Sequence, residues 1–304
     1  MTATITRPPL LTAALAAADR GWSVFPLVPG AKRPAVRSWE QRATTNVDRI
    51  TRCWSTGAYG VGIACGPSGL VVVDLDQPKP GFEWPAAWLL AGVVDGADVF
   101  TTVCERAGQA VPLDTYTTGT ASGGTHLYYQ APDGADLRNT SGDKGQGLGP
   151  LVDTRANGGY VVAAGTTLAD SSTYTTVYDR DPAPLPGWLV TAMTPAPLPP
   201  PPPPVRIEGD RVARFLATAV QGSVDHIAAA GEAGDGRKHA VFYAAITLGR
   251  LVAGGSLAET DAHDALWSAG LAAGVKACDV RSSIRSGFRY GAQRPRTITT
   301  GVPA

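Results

Sequence analysis

The chain has 304 residues, 26 basic and 26 acidic side chains, and a hydrophobic content of 44%. This length and hydrophobic content allow two domains, each with a full core, and they exclude a disordered protein. Because the net charge is zero, the overall composition does not demand a nucleic-acid partner, and local basic patches must carry any such argument.

The cysteines and the apolar runs exclude two further classes. Cys53, Cys65, Cys104 and Cys278 have neither CxxC spacing nor the regular framework of a secreted disulfide scaffold. We therefore expect reduced thiols, no zinc site and a cytoplasmic protein. No run of residues approaches the ~18 consecutive apolar positions of a membrane-spanning helix, so no membrane partner is expected.

The first elements in the chain are an Ala-rich helix over Thr12–Arg20, ended by Gly21, and a strand over Trp22–Leu27. A basic stretch follows. Its side chains fit two interpretations, solvated loop and helix faces or a surface for a nucleic-acid strand, where basic residues lie beside aromatic ones such as Trp39. The residues that would contact nucleic acid here are Lys32, Arg33 and Arg37.

Two carboxylates follow a β-branched run in Leu70–Asp76. Side chains alternate faces along a strand, so Asp74 and Asp76 are expected on one side. Like charges this close repel, and a divalent cation between them would relieve the repulsion. A solvated turn after the strand is the alternative. The preceding strand, Gly60–Gly66, is predicted to form a hairpin with this one through Pro67–Gly69.

A Gly-Gly turn opens the strand predicted around Thr125–Gln130. Ser122, Gly124 and His126 fall at alternate positions there. Such a turn lets a phosphate approach the backbone N–H groups, and His126 is placed to donate to a phosphate oxygen. Taken alone, His126 is equally consistent with a structural histidine, and Ser122 with an ordinary loop residue.

A third carboxylate, Asp153, lies on another short apolar strand, with Arg155 two residues later on the same face. Three carboxylates, a Ser/His pair and an arginine suit nucleotidyl transfer. Two metals ~3.5–4 Å apart would clamp the attacking and leaving oxygens, while His126 and Arg155 would hold a triphosphate. By itself, Asp153 is also consistent with a turn cap.

Strands and helices alternate irregularly over residues 1–193, which favours a mixed α/β or α+β domain over a doubly wound parallel sheet. Prolines then dominate 194–205, and we interpret this stretch as a semi-rigid linker. Residues 206–292 have helical periodicity and predict a small all-α bundle of about four helices, followed by a tail over 293–304.

Two features of the predicted bundle carry specific expectations. Ser256 and Glu259 form a capping-box pattern ahead of the helix over Leu257–Ala273. The last helix has one apolar face and a separate basic row that we expect to contact nucleic acid. This row consists of Arg281, Arg285 and Arg289.

Taken in order, the motifs of the first domain resemble the bifunctional primase-polymerase (prim-pol) domains of the archaeo-eukaryotic primase superfamily, found in phages and plasmids. The resemblance covers roughly residues 10–190. It rests on Gly21-Trp-Ser-Val-Phe-Pro followed by Lys32-Arg-Pro, Ser68-Gly-Leu-Val-Val-Val-Asp-Leu-Asp76, Ser122-Gly-Gly-Thr-His126 and Gly147-Leu-Gly-Pro-Leu-Val-Asp153-Thr-Arg-Ala-Asn-Gly-Gly-Tyr-Val-Val162.

The resemblance implies a catalytic core with an α/β part and an RRM-like part. It also implies metal ligands at Asp74, Asp76 and Asp153, and nucleotide binding at Ser122 and His126. The helical segment is similar to the one that often joins such domains to a helicase. No GxxxxGK[ST] motif follows in the chain, so we expect the helicase to be fused downstream in a longer replication protein or to be separate.

We therefore expect a DNA primase and template-dependent DNA polymerase that uses Mg²⁺ or Mn²⁺, nucleoside triphosphates and a single-stranded DNA template. Two alternatives remain open at this stage. One is a metal-dependent nuclease or other phosphotransferase that uses the same carboxylates. The other is a non-catalytic DNA-binding module of a replication protein.

Overall fold

The computed structural model of the chain describes residues 8–142, 147–194, 200, 203–208, 211–230 and 236–301. The chain divides into two compact units, Met1–Pro195 and Ala196–Ala304. Most of the predicted Pro-rich linker, 194–205, lies outside the described residues.

The first unit contains five helices and nine strands among its described residues. In chain order these are α1 (Pro9–Asp19), β1 (Val24–Leu27), α2 (Trp39–Arg42), α3 (Val47–Trp54), β2 (Gly60–Ala64), β3 (Leu70–Leu75), α4 (Gly96–Arg106), β4 (Thr117–Gly119), β5 (Thr125–Gln130), β6 (Val152–Arg155), β7 (Tyr160–Val162), β8 (Thr175–Tyr178), β9 (Ala183–Pro184) and α5 (Gly187–Met193).

A three-stranded antiparallel sheet has the order β1-β2-β7, so β1 is an edge strand. One face of this sheet packs against α1 and α3 through Leu11, Ile50 and Ile63, all of which are buried. The other face carries a second apolar cluster around Phe25 and Val162. Because strand side chains alternate, the two faces of β1 belong to different clusters.

The second sheet has the order β6-β3-β5-β4-β8, with β9 added in parallel beside β5. Its central strand β3 is apolar on both faces until Asp74. Val71 and Val73 pack towards α4 and α5, while Leu70 and Val72 belong to the cluster that α1 and α3 cover. Burial on both faces explains the continuous β-branched run, and the first carboxylate marks the point where one face leaves the core.

The predicted hairpin between the two strands before Asp76 is wrong. β2 pairs with β1 and β7, whereas β3 pairs with β5 and β6 in the other sheet. A tight turn over Gly66–Ser68, followed by Gly69 with φ +62°, redirects the chain between the sheets. Two strands joined by a short turn can therefore belong to different sheets, because pairing depends on distant partners.

The second unit has four helices and two short strands among its described residues. They are β10 (Val205–Glu208), α6 (Arg211–Ala228), α7 (Gly236–Ala253), α8 (Glu259–Ala272), α9 (Ala277–Ala292) and β11 (Ile298–Gly301). The helices share one core, which includes Val241, Leu248, Leu266 and Ile284. The predicted class, an α+β domain followed by a small helical bundle, is confirmed.

Two details of the second unit differ from the sequence predictions. Ser256 does not cap α8, because its hydroxyl accepts a hydrogen bond from the Ile298 N–H at 2.7 Å, and α8 begins after Ala258 without a side-chain cap. The predicted tail, 293–304, also contains β11, which pairs in parallel with β10. A strand that forms only when its partner is present carries little local signal.

None of the helices in the described part of the chain combines the length and apolar character needed to cross a bilayer.

Candidate active site

Three site residues form one row across the second sheet. Asp74 on β3 lies directly opposite His126 on β5 and directly opposite Asp153 on β6. Residues directly opposite each other on neighbouring strands share a face. The three side chains therefore project to the same side of the sheet, although 79 residues separate Asp74 from Asp153 in the chain.

Arg155 links the two carboxylates of this row. Its Nη2 atom lies 2.9 Å from Oδ2 of Asp153 and 3.8 Å from Oδ2 of Asp74. The other oxygen of Asp153 accepts the backbone N–H of Gly142 at 3.0 Å. Both oxygens of Asp153 are thus engaged by donors, and a guanidinium group neutralises part of the charge between the two aspartates.

His126 is buried beside Asp74, with 5% of its surface exposed. Its Nε2 atom lies 3.3 Å from Oδ1 of Asp74. Its Nδ1 atom is buried and has no hydrogen-bond partner among the described residues. A buried imidazole nitrogen without a partner costs free energy, so it is a group that a ligand or a water molecule would satisfy.

Asp76 follows the end of β3 and is fixed by its backbone. Its N–H donates to the Leu151 carbonyl and its carbonyl accepts from Gly96 N–H, both at 2.9 Å. Gly96 and Gly124 enclose this segment. A Cβ atom at Gly96 would collide with the Leu151 carbonyl and the Asp76 backbone, and one at Gly124 would collide with the Leu75 carbonyl.

The two cleft aspartates are in opposite electrostatic situations. Burial disfavours ionised Asp74, but the hydrogen bond from His126 and the charges of Arg155 and Lys32 outweigh it, so the pKa of this carboxyl is lowered. Burial raises the pKa of Asp76, and the neighbouring charges of Asp74 and Asp153 raise it further. Negative charge around Asp76 is therefore incompletely neutralised.

The glycine turn before β5 is held by Thr120. The Thr120 hydroxyl accepts the Gly124 N–H at 2.9 Å and lies 3.2 Å from the Ser122 hydroxyl. Gly123 has φ +86°, a conformation that favours glycine. Glycine is required at position 124 for a steric reason, its close packing against the Leu75 carbonyl of β3, in addition to any approach of a phosphate.

These groups open into a cleft of about 610 Å³. Sequence reasoning missed several of its lining residues, because Lys79, Asn139 and Tyr174 lie outside the recognised motifs. Asp153 does not line the cleft, whereas Asp74 and Asp76 do. The lining consists of Lys32, Trp39, Asp74, Asp76, Lys79, Thr120, Ser122, His126, Asn139, Arg155, Gly158, Gly159, Tyr160, Val161, Val162 and Tyr174.

The predicted nucleic-acid contacts separate into three places. Lys32 lines the cleft, with its Nζ atom 5.7 Å from the ring centre of Tyr174. Arg33 and Arg37 are exposed and lie outside the cleft lining. The third group is the exposed row on α9 of the second unit, formed by Arg281, Arg285 and Arg289.

The donor set favours a hard divalent cation, although the side chains are not arranged around one. In the described part of the chain, no group of three or more His, Cys, Asp or Glu side chains is placed to hold a metal ion. Carboxylate oxygens are what Mg²⁺ prefers, and Asp74 and Asp76 both reach the cleft. Asp153 lies outside the cleft lining, and each of its oxygens already accepts one donor, from Arg155 or from Gly142, which leaves further lone pairs on the carboxylate.

Comparison with known families gives one match over the first unit. Residues 14–188 match the family described as "Bifunctional DNA primase/polymerase, N-terminal". The matched range covers more than half of the chain and includes every element that contributes to the cleft. A search of curated proteins gave no match.

The family match implies a nucleotidyltransferase-type enzyme. The chain belongs to the bifunctional DNA primase/polymerase family, which supports a primase and polymerase function in general. Enzymes of this family are generally metal-dependent.

Proposed function

We propose that this protein is a DNA primase and template-dependent DNA polymerase that synthesises primers in phage or plasmid replication. The observation that carries the proposal is the row formed by Asp153, Asp74 and His126, beside which Asp76 opens into the cleft. These residues come from three distant parts of the chain, and all three parts fall within the matched family range.

Asp74, Asp76 and Asp153 are the proposed ligands of two Mg²⁺ or Mn²⁺ ions. The raised pKa of Asp76, caused by burial and by the neighbouring aspartates, supports this assignment because a cation would relieve the repulsion. When bound, such ions would neutralise charge that develops on the attacking and leaving oxygens.

The incoming nucleotide is proposed to lie against Ser122, Gly124, His126 and Arg155. Burial of His126 and its link to Asp74 fix the imidazole in one orientation, so that a phosphate oxygen would meet a preorganised group. The Arg155 guanidinium, about a third exposed, has donors left for a phosphate. Lys32 and Lys79 add positive charge to the same cleft.

The template strand is proposed to cross the basic stretch that begins at Lys32 and continues through Arg33 and Arg37. The α9 row of Arg281, Arg285 and Arg289 would hold template or the initiating nucleotide. A helicase, fused or separate, is the proposed partner, and the four-helix arrangement of α6–α9 is consistent with the segment that joins such domains to a helicase.

Primer extension and de novo primer synthesis test the main proposal. Wild type and the double variant Asp74→Ala/Asp76→Ala would be compared with a labelled primer-template and with unprimed template. If both proteins synthesise equal amounts of product, the proposal is wrong. The same assay with ribo- and deoxyribonucleotides would identify the preferred sugar.

One observation favours a second candidate, a metal-dependent nuclease. Nucleases of this kind typically place a lysine beside the metal site, and Lys79 lines the cleft close enough to Asp76 to lower its pKa in part. Incubation of labelled single strands with Mn²⁺ and no nucleotides separates the two functions. Cleavage that depends on Asp74 would support the nuclease, whereas intact strands would rule it out.

A further inference from the structure

A second basic pocket of about 410 Å³ lies in the first unit, apart from the cleft, and shares no lining residue with it. Its basic side chains are Arg42 at the end of α2 and Arg49 and Arg52 on α3. Because Arg49 and Arg52 are three positions apart on a helix, they lie on neighbouring turns of one face. The apolar part of the lining comes from Val24, Pro26, Val36, Ile50 and Trp54.

The three arginines are exposed, and the Nη2 atom of Arg49 donates to the Arg42 carbonyl at 3.4 Å. Arginine ion pairs elsewhere in the described residues involve Arg20, Arg138, Arg155 and Arg180. Within that same part of the chain, none of the three pocket arginines forms such a pair. The nearby Glu40 carboxylate accepts the Gly158 N–H instead. Three guanidinium groups without a carboxylate in ion-pair contact, around one pocket, attract phosphate.

The pocket and the cleft lie on opposite faces of the edge strand β1. Phe25 packs against Trp39 and Tyr160, which line the cleft, with ring centres 4.8 and 5.3 Å away. Val24 and Pro26, one residue to either side, line the arginine pocket. Alternation along the strand therefore places the two sites on different sides of the sheet edge.

A basic segment connects the two sites around this edge. Residues 31–54 contain six basic and two acidic side chains. Lys32 lines the cleft, and Arg42 is the first residue of this segment with a charged side chain in the pocket lining. Arg33 and Arg37 lie between them and are exposed. A free nucleotide would need only one of the two sites, whereas a continuous strand could follow the whole path.

We propose that the Arg42/Arg49/Arg52 pocket binds the sugar-phosphate backbone of a single nucleic-acid strand whose other part lies in the cleft. The guanidinium groups bind phosphates, and the apolar lining receives a sugar or base. The identity of the strand as template rests on the proposed function, but the pocket's affinity for a strand does not.

The test compares Arg49→Gln/Arg52→Gln with the control Arg106→Gln/Arg180→Gln. The control removes the same number of exposed arginines from the same unit outside both sites, and of these Arg180 pairs with Asp114. Affinity for a fluorescent single-stranded oligonucleotide is measured over a series of salt concentrations. Loss of two phosphate contacts is expected to reduce the slope of log Kd against log salt by about 1.4. The ratio of the Kd of the variant to the Kd of wild type should therefore fall about sevenfold as the salt concentration rises from about 50 to about 200 mM.

The two proposals can fail separately. If the pocket variant and the control bind strands with equal affinity and equal salt slope, the pocket inference is wrong even when primer extension succeeds. If the pocket variant alone loses affinity while wild type extends no primer, the pocket stands and the polymerase proposal fails. If the pocket variant instead loses affinity for a free nucleoside triphosphate, the pocket binds a mononucleotide, and the proposal that it binds a strand is wrong.

Discussion

The sheet that bears the cleft and the interior of the helical unit differ in whether their buried polar groups have hydrogen-bond partners. Among the described residues, the buried polar side chains of the helical unit are Ser223 and Ser283, and each donates to a backbone carbonyl. In the first unit, buried His126 keeps one ring nitrogen without a partner and lies beside Asp74, of which 14% of the side chain is exposed. Such groups lower stability, and among the described residues with a buried polar atom lacking a partner, Thr118, His126 and Tyr128, His126 is the one that lines the cleft.

Both units use glycine for close packing, but to different ends. In the first unit, Gly96 and Gly124 enclose the backbone of Asp76. In the second, a Cβ atom at Gly287 of α9 would collide with Ala245 and lie 2.8 Å from the Phe242 carbonyl of α7. The same steric demand therefore positions a carboxylate in one unit and joins two helices in the other.

The strongest test of this contrast removes charge from the cleft. Asp74→Asn/Asp76→Asn should lower primer extension by at least about 10³-fold, or about 4 kcal/mol of transition-state stabilisation, because cation binding and charge compensation are both lost. Steady-state extension assays measure this effect. The control Asp264→Asn removes an exposed carboxylate of α8. If primer extension fell as much in that control, the activity could not be assigned to the cleft of the first unit.

The paired glycine variants Gly124→Ala and Gly287→Ala should each lower the free energy of unfolding by about 1–3 kcal/mol, since both overpack a close contact. Urea unfolding measures the stabilities. Only Gly124→Ala displaces the backbone beside Asp76, so its activity per folded molecule should fall more than that of Gly287→Ala. The reverse order of activities would contradict the different uses assigned to the two glycines.

Arg155→Gln should lower stability by about 1–2 kcal/mol at neutral pH, because two mostly buried carboxylates lose their shared cation. Unfolding would be followed in the presence of a chelator. Because the pKa of Asp74 is lowered in the folded protein, this group stabilises the folded state at pH values above the ordinary Asp pKa. The contribution is lost as the pH falls through the pKa that Asp74 has in the folded state. The difference between variant and wild type should therefore shrink below about pH 4.

Arg138→Gln is the control for that experiment, because its 3.6 Å ion pair with Asp136 is largely exposed. An exposed pair is expected to contribute less than about 1 kcal/mol. If both variants have the same effect at every pH, Arg155 is an ordinary surface residue and the link between Asp74 and Asp153 has no energetic role.

The mildest perturbation is thiol labelling, which compares the units without a substitution. Burial raises the pKa of Cys65 to about 12, whereas Cys278 of α9 is exposed. At about pH 8 a maleimide should modify Cys278 first and Cys65 only when the first unit opens, because the thiolate is the reactive form. Mass spectrometry of peptides gives both rates. Equal rates in the folded protein would show that the first unit is open around β2.

The sequence by itself determined the elements that depend on local pattern. Alternation placed Asp74 at the end of a buried strand and Arg155 on the face of Asp153, and the ordered motifs identified the family. Helical periodicity likewise predicted the region of α6–α9. These signals are local because side-chain direction repeats every two residues in a strand and every 3.6 in a helix.

Only the tertiary structure decided which distant segments meet. It separated β2 from β3, placed Lys79 and Tyr174 in the cleft, and brought the arginines of α2 and α3 together across β1 from that cleft. Strand pairing and pocket formation depend on contacts between residues far apart in the chain. Their free energies are set by packing against neighbours, which no single segment encodes.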